Sequence, residues 1–200
     1  ELMGGKDVLC DKLNYAFEQA ADDDFVYGYS GGYISYANQP GVSNAHVFSW
    51  AGKPWLTQYW VRRVRAQAYG AVTPDRGYGE DQGQMGGISA LMAIGLFSLT
   101  GNVDQNPSYE ITSPIFDRIE ITLDDRYYEK GKFVIQTYHN SAGNCYIRQA
   151  RLNGKPLHDF RFSHADFSKG GLLELWMGPE PAKKWGIFPK KRSPRPVNQR

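Results

Sequence analysis

The sequence predicts an α+β chain, with helices first and an antiparallel β-sandwich-like region after them. Three observations carry this. Apolar residues recur at helical spacing up to about residue 99. The period then shortens towards two over six short stretches parted by turn residues. The halves meet at "GNVDQNP", residues 101–107, which is almost all turn formers. The expected divisions are therefore a helical part at 1–101, a strand region at 102–178 and an extended basic tail at 179–200.

Each element has its own justification. Over residues 6–21, Val8, Leu9, Leu13, Ala16, Phe17 and Ala20 return on one helix face, and "DDDF" ends the segment. "YGYSGGYISYANQPGVSN" reads as a long loop rich in Gly, Tyr and Asn. "AHVFSWAG" is a short helical run closed by Gly52, a left-handed C-terminal cap. Pro54 suits the first turn of the next helix. The core face of that helix would carry Tyr59, Trp60, Val61, Val64 and Ala68, with Arg62, Arg63 and Arg65 outside. "YGAVTPDRGYGEDQG" is a second long loop. Residues 84–99 follow as a helix apolar almost all round, hence expected to be buried. The strand stretches are "SYEIT", "FDRIEITL", "KFVIQTYH", "CYIRQARL", "FRFSHADF" and "LLELWMG", separated by "DDRYYEKGK", "NSAGN", "NGKP" and "SKGG".

Composition narrows the function classes. Two hundred residues suffice for one large domain or two small ones. With 41% hydrophobic and 22% charged residues the chain reads as soluble and globular. Lys and Arg total 23 against 21 Asp and Glu, a net charge of +2 with much of the positive charge in the tail; that balance argues neither for nor against a nucleic-acid partner, and none is expected. No stretch reaches the roughly 18 apolar residues of a membrane span, so none is expected. Aromatic residues make up 14%, and core filling comes before sugar stacking as their use. Cys10 and Cys145 form neither a disulfide framework nor a zinc spacing, and their pairing is open. "ELMGGKDVLCDKL" has no basic start followed by an apolar run, has no leading Met and opens directly into helical pattern. A piece of a longer chain is expected.

Two loops hold the candidate chemistry. In "GEDQGQMG", Gly79 and Gly83 let the backbone turn sharply, and Glu80, Asp81, Gln82 and Gln84 fall at or just before a helix N-terminus. Such acids cap a helix. Held ionised by backbone N–H groups, one of them serves equally as a general base or a ligand for a hard cation. In "YANQPGVSN", Asn38 and Gln39 offer amide oxygens of the kind Ca²⁺ takes, and they also build an ordinary Asn-Pro turn. Asp22, Asp23 and Asp24 lack the alternate spacing of a calcium loop and read as a solvated helix end. His46, His139, His158 and His164 make no metal-ligand pattern, and His164 reads as a strand histidine bonded to its neighbours. There is no Gly-x-Ser-x-Gly elbow and no phosphate-binding loop.

Taken together, several stretches resemble glycoside hydrolase family 92. "NQPGVSNAHVFSWAGKPWLTQYWVR" is similar to the family's Asn-Glu-Pro … Ala-Gly-x-Pro-Trp-x-Thr-Gln-x-x-Val-Arg segment. "GEDQGQMGGISALMAIGLFSLTG" is similar to its Asp-Glu-Asp-x-Gly-Gln-Met-Ser-Ala helix start. "YEITSPIFDRIEITL", "NCYIRQARLNGKPL" and "SHADFSKGGLLELWMG" resemble its closing strands. The resemblance runs in order along nearly the whole chain. It implies calcium-dependent, inverting exo-α-mannosidase chemistry on terminal mannose of glycans, α-1,2 linkages foremost. It also implies a secreted, periplasmic or cell-surface setting. Residues 1–101 would be the last helices of an (α/α)6 catalytic toroid, and 102–178 the strands closing it.

The resemblance also implies roles. Asp81 matches the family's second Asp, the general base, and Glu80 its middle acid, both catalytic. Asn38 and Gln39 fall in the substrate-binding segment, with Asn38 and Asp81 near Ca²⁺. The calcium would grip two mannose hydroxyls and help distort the ring. Two positions depart from the family: its first acid is Gly79 here, and the Glu after Asn is Gln39. The family's general acid lies upstream of "ELMGG", so the chain alone is expected to be inactive and its partners to be mannose-containing glycans and the rest of the parent chain. Two rival readings remain: a catalytically lapsed carbohydrate-binding or scaffold module of the same fold, with Gly79 as the damage, and a plain β-sandwich interaction domain.

Overall fold

The computed structural model describes residues 2–25, 32–69, 83–128 and 131–187. Helix α1 spans Lys6–Ala20 and runs on into a 3-10 turn at Ala21–Asp23. It buries Cys10, Phe17 and Ala20. Val8 lies two residues from Cys10, about 200° round a helix of 3.6 residues per turn. It therefore stands exposed, off the core face its spacing suggested. Asp22 and Asp23 are exposed, and Asp24 takes a left-handed φ of 55° and accepts from Gln67 Nε2 at 3.3 Å.

Helix α2, Val47–Ala51, ends at Gly52 with φ 94°, and α3, Pro54–Gln67, starts on its proline. Both punctuation residues do what the sequence asks of them. Trp60, Val61 and Val64 are buried; Tyr59 and Ala68 are half-buried. Arg62, expected outside, is tucked against the strand region. Its Nε donates to Ser113 O and Oγ at 3.0 and 2.9 Å, and its remaining N–H groups reach Pro114 O, Ser141 O and Asn140 Oδ1. A planar fork of five donors suits a cluster of carbonyls better than water does. Gln58 makes a second tie, its Oε1 accepting the Ile147 N–H at 2.9 Å.

Helix α4 spans Gln84–Ile94 and stops five residues earlier than the apolar run suggested. Gly95 takes φ 76°, and a Cβ there would meet Pro114 Cδ at 2.6 Å. The chain turns left-handed where no side chain fits, and Leu96–Phe97 becomes strand β1. Nor is α4 buried all round: Met85, Ile88, Met92 and Ala93 face the core, while Ala90 and Leu91 are exposed.

The remaining strands are β2 (Ser108–Ile111), β3 (Arg118–Leu123), β4 (Gly131–Tyr138), β5 (Tyr146–Leu152), β6 (Lys155–Pro156), β7 (Arg161–Ser163) and β8 (Gly171–Gly178). One sheet has the order β1-β2-β7 and is antiparallel; the other has the order β3-β4-β8-β5-β6. The second sheet is mixed, because β4 pairs in parallel with β8. Strands β4 and β5 run in opposite directions with β8 inserted between them, so β8 must be parallel to one of the two. Asn153 and Gly154, with φ 50° and 76°, supply the two positive-φ positions of a tight hairpin between β5 and β6. "FRFSHADF" does not remain a strand. Ser163 Oγ accepts from the Asp166 N–H at 3.1 Å and starts the single-turn helix α5, His164–Phe167. His164 instead pairs its Nδ1 with Tyr109 Oη at 2.9 Å.

Two apolar clusters result. Phe17, Phe25, Tyr36, Phe48 and Trp60 centre the helical one, and Phe17 stacks on Trp60 with centroids 5.0 Å apart. Phe133, Ile135, Ile147, Leu173 and Leu175 centre the other, which joins the two sheets through Phe133 stacked on Phe162. Adjacent residues on opposite faces of β1 divide between them: Phe97 joins the first cluster and Leu96 the second. The architecture is α+β, with antiparallel and mixed sheets.

Candidate functional site

The loop at residues 32–46 is shaped by its own short-range bonds. Asn38 is extended, with φ −149° and ψ 157°, and its Oδ1 accepts the Gln39 N–H at 2.8 Å. That bond, with Pro40 next, opens a 3-10 turn at Gln39–Gly41. Gly41 is required there: a Cβ would lie 1.5 Å from the Ser35 carbonyl oxygen. Tyr36 anchors the loop from beneath. Its ring is fully buried, its backbone N–H donates to Phe25 O at 2.6 Å, and its hydroxyl accepts the Ala45 N–H at 3.1 Å. Burial pushes the Tyr36 hydroxyl pKa far up, so it stays neutral. Above this support Tyr33, Ser35, Asn38, Pro40, Gly41 and Asn44 line a hollow of about 210 Å³.

The structure brings this loop to the start of α4. Tyr69, just past the end of α3, donates its hydroxyl to Tyr36 O at 2.9 Å and approaches Met85 Sδ at 3.9 Å. Met85 is the second residue of α4, and Gly83, with φ 82°, is the residue before that helix. Gly83 has no side chain, so the N-cap position is not filled by an acid. Asn38 and Gln39 are thus placed. Asp81 and Glu80 lie outside the described residues, as does Gly79.

For a calcium ion the described donors are few. Asn38 Oδ1 accepts one hydrogen bond and, as a carbonyl-type oxygen, keeps a second lone pair. Ca²⁺ takes about six to eight oxygens. Among the described residues no three His, Cys, Asp or Glu side chains converge as metal ligands. Asn38 alone does not make a calcium site.

Behind the loop lies a pair that the scattered histidines of the sequence did not reveal. His46 and Glu110 are both buried, with Nδ1 3.5 Å from Oε2, and the imidazole stacks on Phe97 with centroids 3.6 Å apart. Glu110 Oε1 accepts from Trp50 Nε1 at 2.8 Å and from the Leu99 N–H at 2.9 Å, so this carboxylate joins α2, the turn after β1, and β2. No sequence signal marked it: alternation in "SYEIT" sets Glu110 opposite Tyr109 and Ile111, on the polar face, but the strand is buried at both Glu110 and Ile111. Burial drives the His46 pKa below its ordinary 6.5, against the pull of Glu110. The unfolded chain therefore binds this proton more readily than the folded one. Stability is full above pH 6.5 and falls as pH drops below that value, by at most about 1.4 kcal/mol per pH unit for one proton. Thermal melts from pH 7.5 to 5 are expected to show this slope, reduced in His46→Gln; an unchanged slope in the variant assigns the acid sensitivity elsewhere.

Cys10 and Cys145 are both buried and free, and burial raises both thiol pKa values. Among the described residues no helix is long and apolar enough to cross a membrane.

With this geometry in place, comparison with known proteins is informative. A secreted glycosidase of Arthroderma benhamiae, otherwise uncharacterised, is 27% identical over 188 residues, covering 92% of this chain and 22% of its own length. Among solved structures, the family GH92 α-mannosidase BT3965 of Bacteroides thetaiotaomicron superposes with a TM-score of 0.76 at 23% identity, over 92% of this chain and 23% of that one. The inverting family GH92 mannosidase BT2199 of the same organism gives a TM-score of 0.72 at 28% identity, over 94% and 26%. The chain thus spans about a quarter of the length of these relatives. The model of the glycosyl hydrolase family 92 catalytic domain matches residues 1–179. With the match covering nearly the whole described fold, the chain belongs to glycosyl hydrolase family 92.

Proposed function

We propose that this chain is the C-terminal part of an inverting, calcium-dependent exo-α-mannosidase that removes terminal mannose, foremost α-1,2-linked, from glycans outside the cell. The observation that carries the reading is Tyr69. Its hydroxyl contacts both the Asn38 loop, through Tyr36 O, and the start of α4, through Met85. Two stretches whose contacted residues, Tyr36 and Met85, are 49 positions apart in sequence, one with amides and one preceded by acids, are thereby tied at one place, as a shared sugar site requires. Family membership, a secreted glycosidase among the relatives and mannosidases among the structural neighbours support the substrate class and the setting.

In this reading the helices α1–α4 are the last of an (α/α)6 toroid and the strands close it. Asp81 is the general base. It takes a proton from water on the face of the sugar opposite the leaving oxygen, while an acid from the upstream chain protonates that oxygen. Inversion needs the two carboxyl groups roughly 6.5–9.5 Å apart, with the water between. Glu80 is the base's neighbour in sequence, and in this reading its negative charge helps keep the Asp81 proton affinity up. Gln39, half-buried in its turn, is an amide where the family has an acid; in this reading it offers hydrogen bonds without charge and so shifts the leaving-sugar subsite and the linkage preference. Calcium is the cofactor of this reading, with Asn38 and Asp81 as the donors this chain offers; when bound it supplies Lewis-acid polarisation of sugar hydroxyls.

The test compares mannose release by the full-length parent with release by residues 1–200 alone. The parent is expected to turn over, to lose activity on chelation and to regain it with added Ca²⁺. The chain alone is expected to be inert. Turnover by the chain alone overturns the assignment of the acid upstream; a parent inert on every α-mannoside that still binds mannose favours the lapsed module, with Gly79 in place of an acid as its cause.

A further inference from the structure

The hollow beside Asn38 has an aromatic wall that the catalytic reading leaves without a task. Tyr33 lines it and is 57% exposed. Its ring is held by Tyr15 of α1, edge to face at 89° with centroids 5.8 Å apart. Tyr15 is itself 52% exposed, so the pair stands at the surface outside the helical core. Burying neither ring, the fold still fixes their mutual orientation. Asn38, Asn44 and Ser35, with two amides and a hydroxyl, line the same hollow. Ser35 Oγ accepts the Ala37 N–H at 3.2 Å and Asn38 Oδ1 that of Gln39, so both are oriented before any ligand arrives.

We infer that Tyr33 is the stacking platform of a sugar-binding subsite, receiving the sugar on the leaving side of the scissile bond. This rests on the mannosidase reading. A pyranose offers one face of C–H groups with partial positive charge and an edge of hydroxyls. The negative π face of a tyrosine suits the first, and oriented amides suit the second. The hollow offers both within about 210 Å³, below the roughly 300 Å³ of the smallest drug-sized pockets. It therefore takes one sugar ring and not an extended oligosaccharide. The rigid, two-torsion tyrosine loses little conformational freedom on stacking, more so because Tyr15 already restrains it. Tyr15 supports the platform without touching the sugar.

The experiment uses the full-length parent and two substrates, α-mannobiose and α-mannosyl fluoride. The first places a sugar on the leaving side and the second only a fluoride ion. Tyr33→Ala is expected to raise KM for mannobiose about 3- to 10-fold and to leave kcat/KM for the fluoride unchanged. Tyr33→Phe keeps the π face and is expected to behave as the native enzyme; Tyr15→Ala is expected to act like Tyr33→Ala but more weakly. A Tyr33→Ala enzyme equal to native on both substrates, or impaired equally on both, overturns the platform while leaving the mannosidase reading intact. A parent that hydrolyses neither substrate overturns the mannosidase reading, and the platform with it.

Discussion

Asp81→Asn in the full-length parent is expected to lower mannose release by about 10²- to 10⁴-fold, with KM little changed. That is the usual contribution of a positioned general base. The substitution keeps the side chain's size and most of its hydrogen bonding but removes its capacity to take a proton from water. An effect on kcat without KM is the signature of a group acting in the transition state. Glu80→Gln is expected to cost less, since that carboxylate tunes its neighbour and does not accept the proton. Steady-state kinetics at saturating Ca²⁺ separate loss of the base from loss of the metal. If Asp81→Asn retains native turnover, the base lies elsewhere and Asp81 is a structural acid near the start of α4.

The second large effect is on stability. Arg62→Ala is expected to destabilise the fold by about 3 kcal/mol. The guanidinium binds the carbonyls of Ser113, Pro114 and Ser141 and the amide of Asn140. Ser113 and Pro114 are buried, so truncation takes the Arg62 donor from the Ser113 carbonyl and leaves Pro114 O only the Asn140 Nδ2 at 3.3 Å, as well as removing the bonds themselves. The same bonds tie α3 to the segment that packs against Gly95, so the helical and strand regions lose a shared fastening. For a chain of this size about 3 kcal/mol corresponds to a fall of roughly 6–12 °C in Tm. Arg62→Lys is expected to recover little, because an ammonium on a flexible stem cannot reach several carbonyls at once. A Tm within 2 °C of native for Arg62→Ala, on the order of half a kcal/mol, would show the clamp to be incidental.

How much of this was legible in the residues depends on the range of the interaction. Gly52 and Pro54 were readable because each acts through its own backbone: one permits a positive φ, the other has a fixed φ and no N–H. The Asn38–Pro40 turn was readable for the same reason, since Asn38 caps it with a bond to the next residue. The end of α4 was not. Gly95 is a left-handed cap of the same kind as Gly52, but the apolar run continues past it, and Pro114, 19 residues on, which leaves no room for a side chain there, lies out of local view. Arg62 was misplaced for a related cause: helical spacing puts it outward, but the 113–114 and 140–141 segments come back over it. In "FRFSHADF" the local signal was present. Ser163 followed three residues later by Asp166 is a capping pattern, and the strand reading of the whole stretch passed over it. The parallel pairing of β4 and β8 follows from a long-range insertion that alternation of apolar residues does not record.

The candidate site divides in the same way. Asn38 and Gln39 were picked out as amides in a loop and stand in one, beside the hollow. Tyr33 and Asn44 belong to the same hollow but read in sequence as one more tyrosine and one more asparagine. His46 and Glu110, 64 residues apart, meet only because β2 lies against β1 and the short turn before α2. Tyr69 mattered most and was least visible, since its role is to touch two segments that sequence separates.

The most direct measurement follows the anomeric proton of mannose by NMR while the full-length parent hydrolyses a simple α-mannoside in the presence of Ca²⁺. The account predicts that β-mannose appears first and only later mutarotates to the equilibrium mixture. First appearance of α-mannose, or release of no mannose at all, would contradict it.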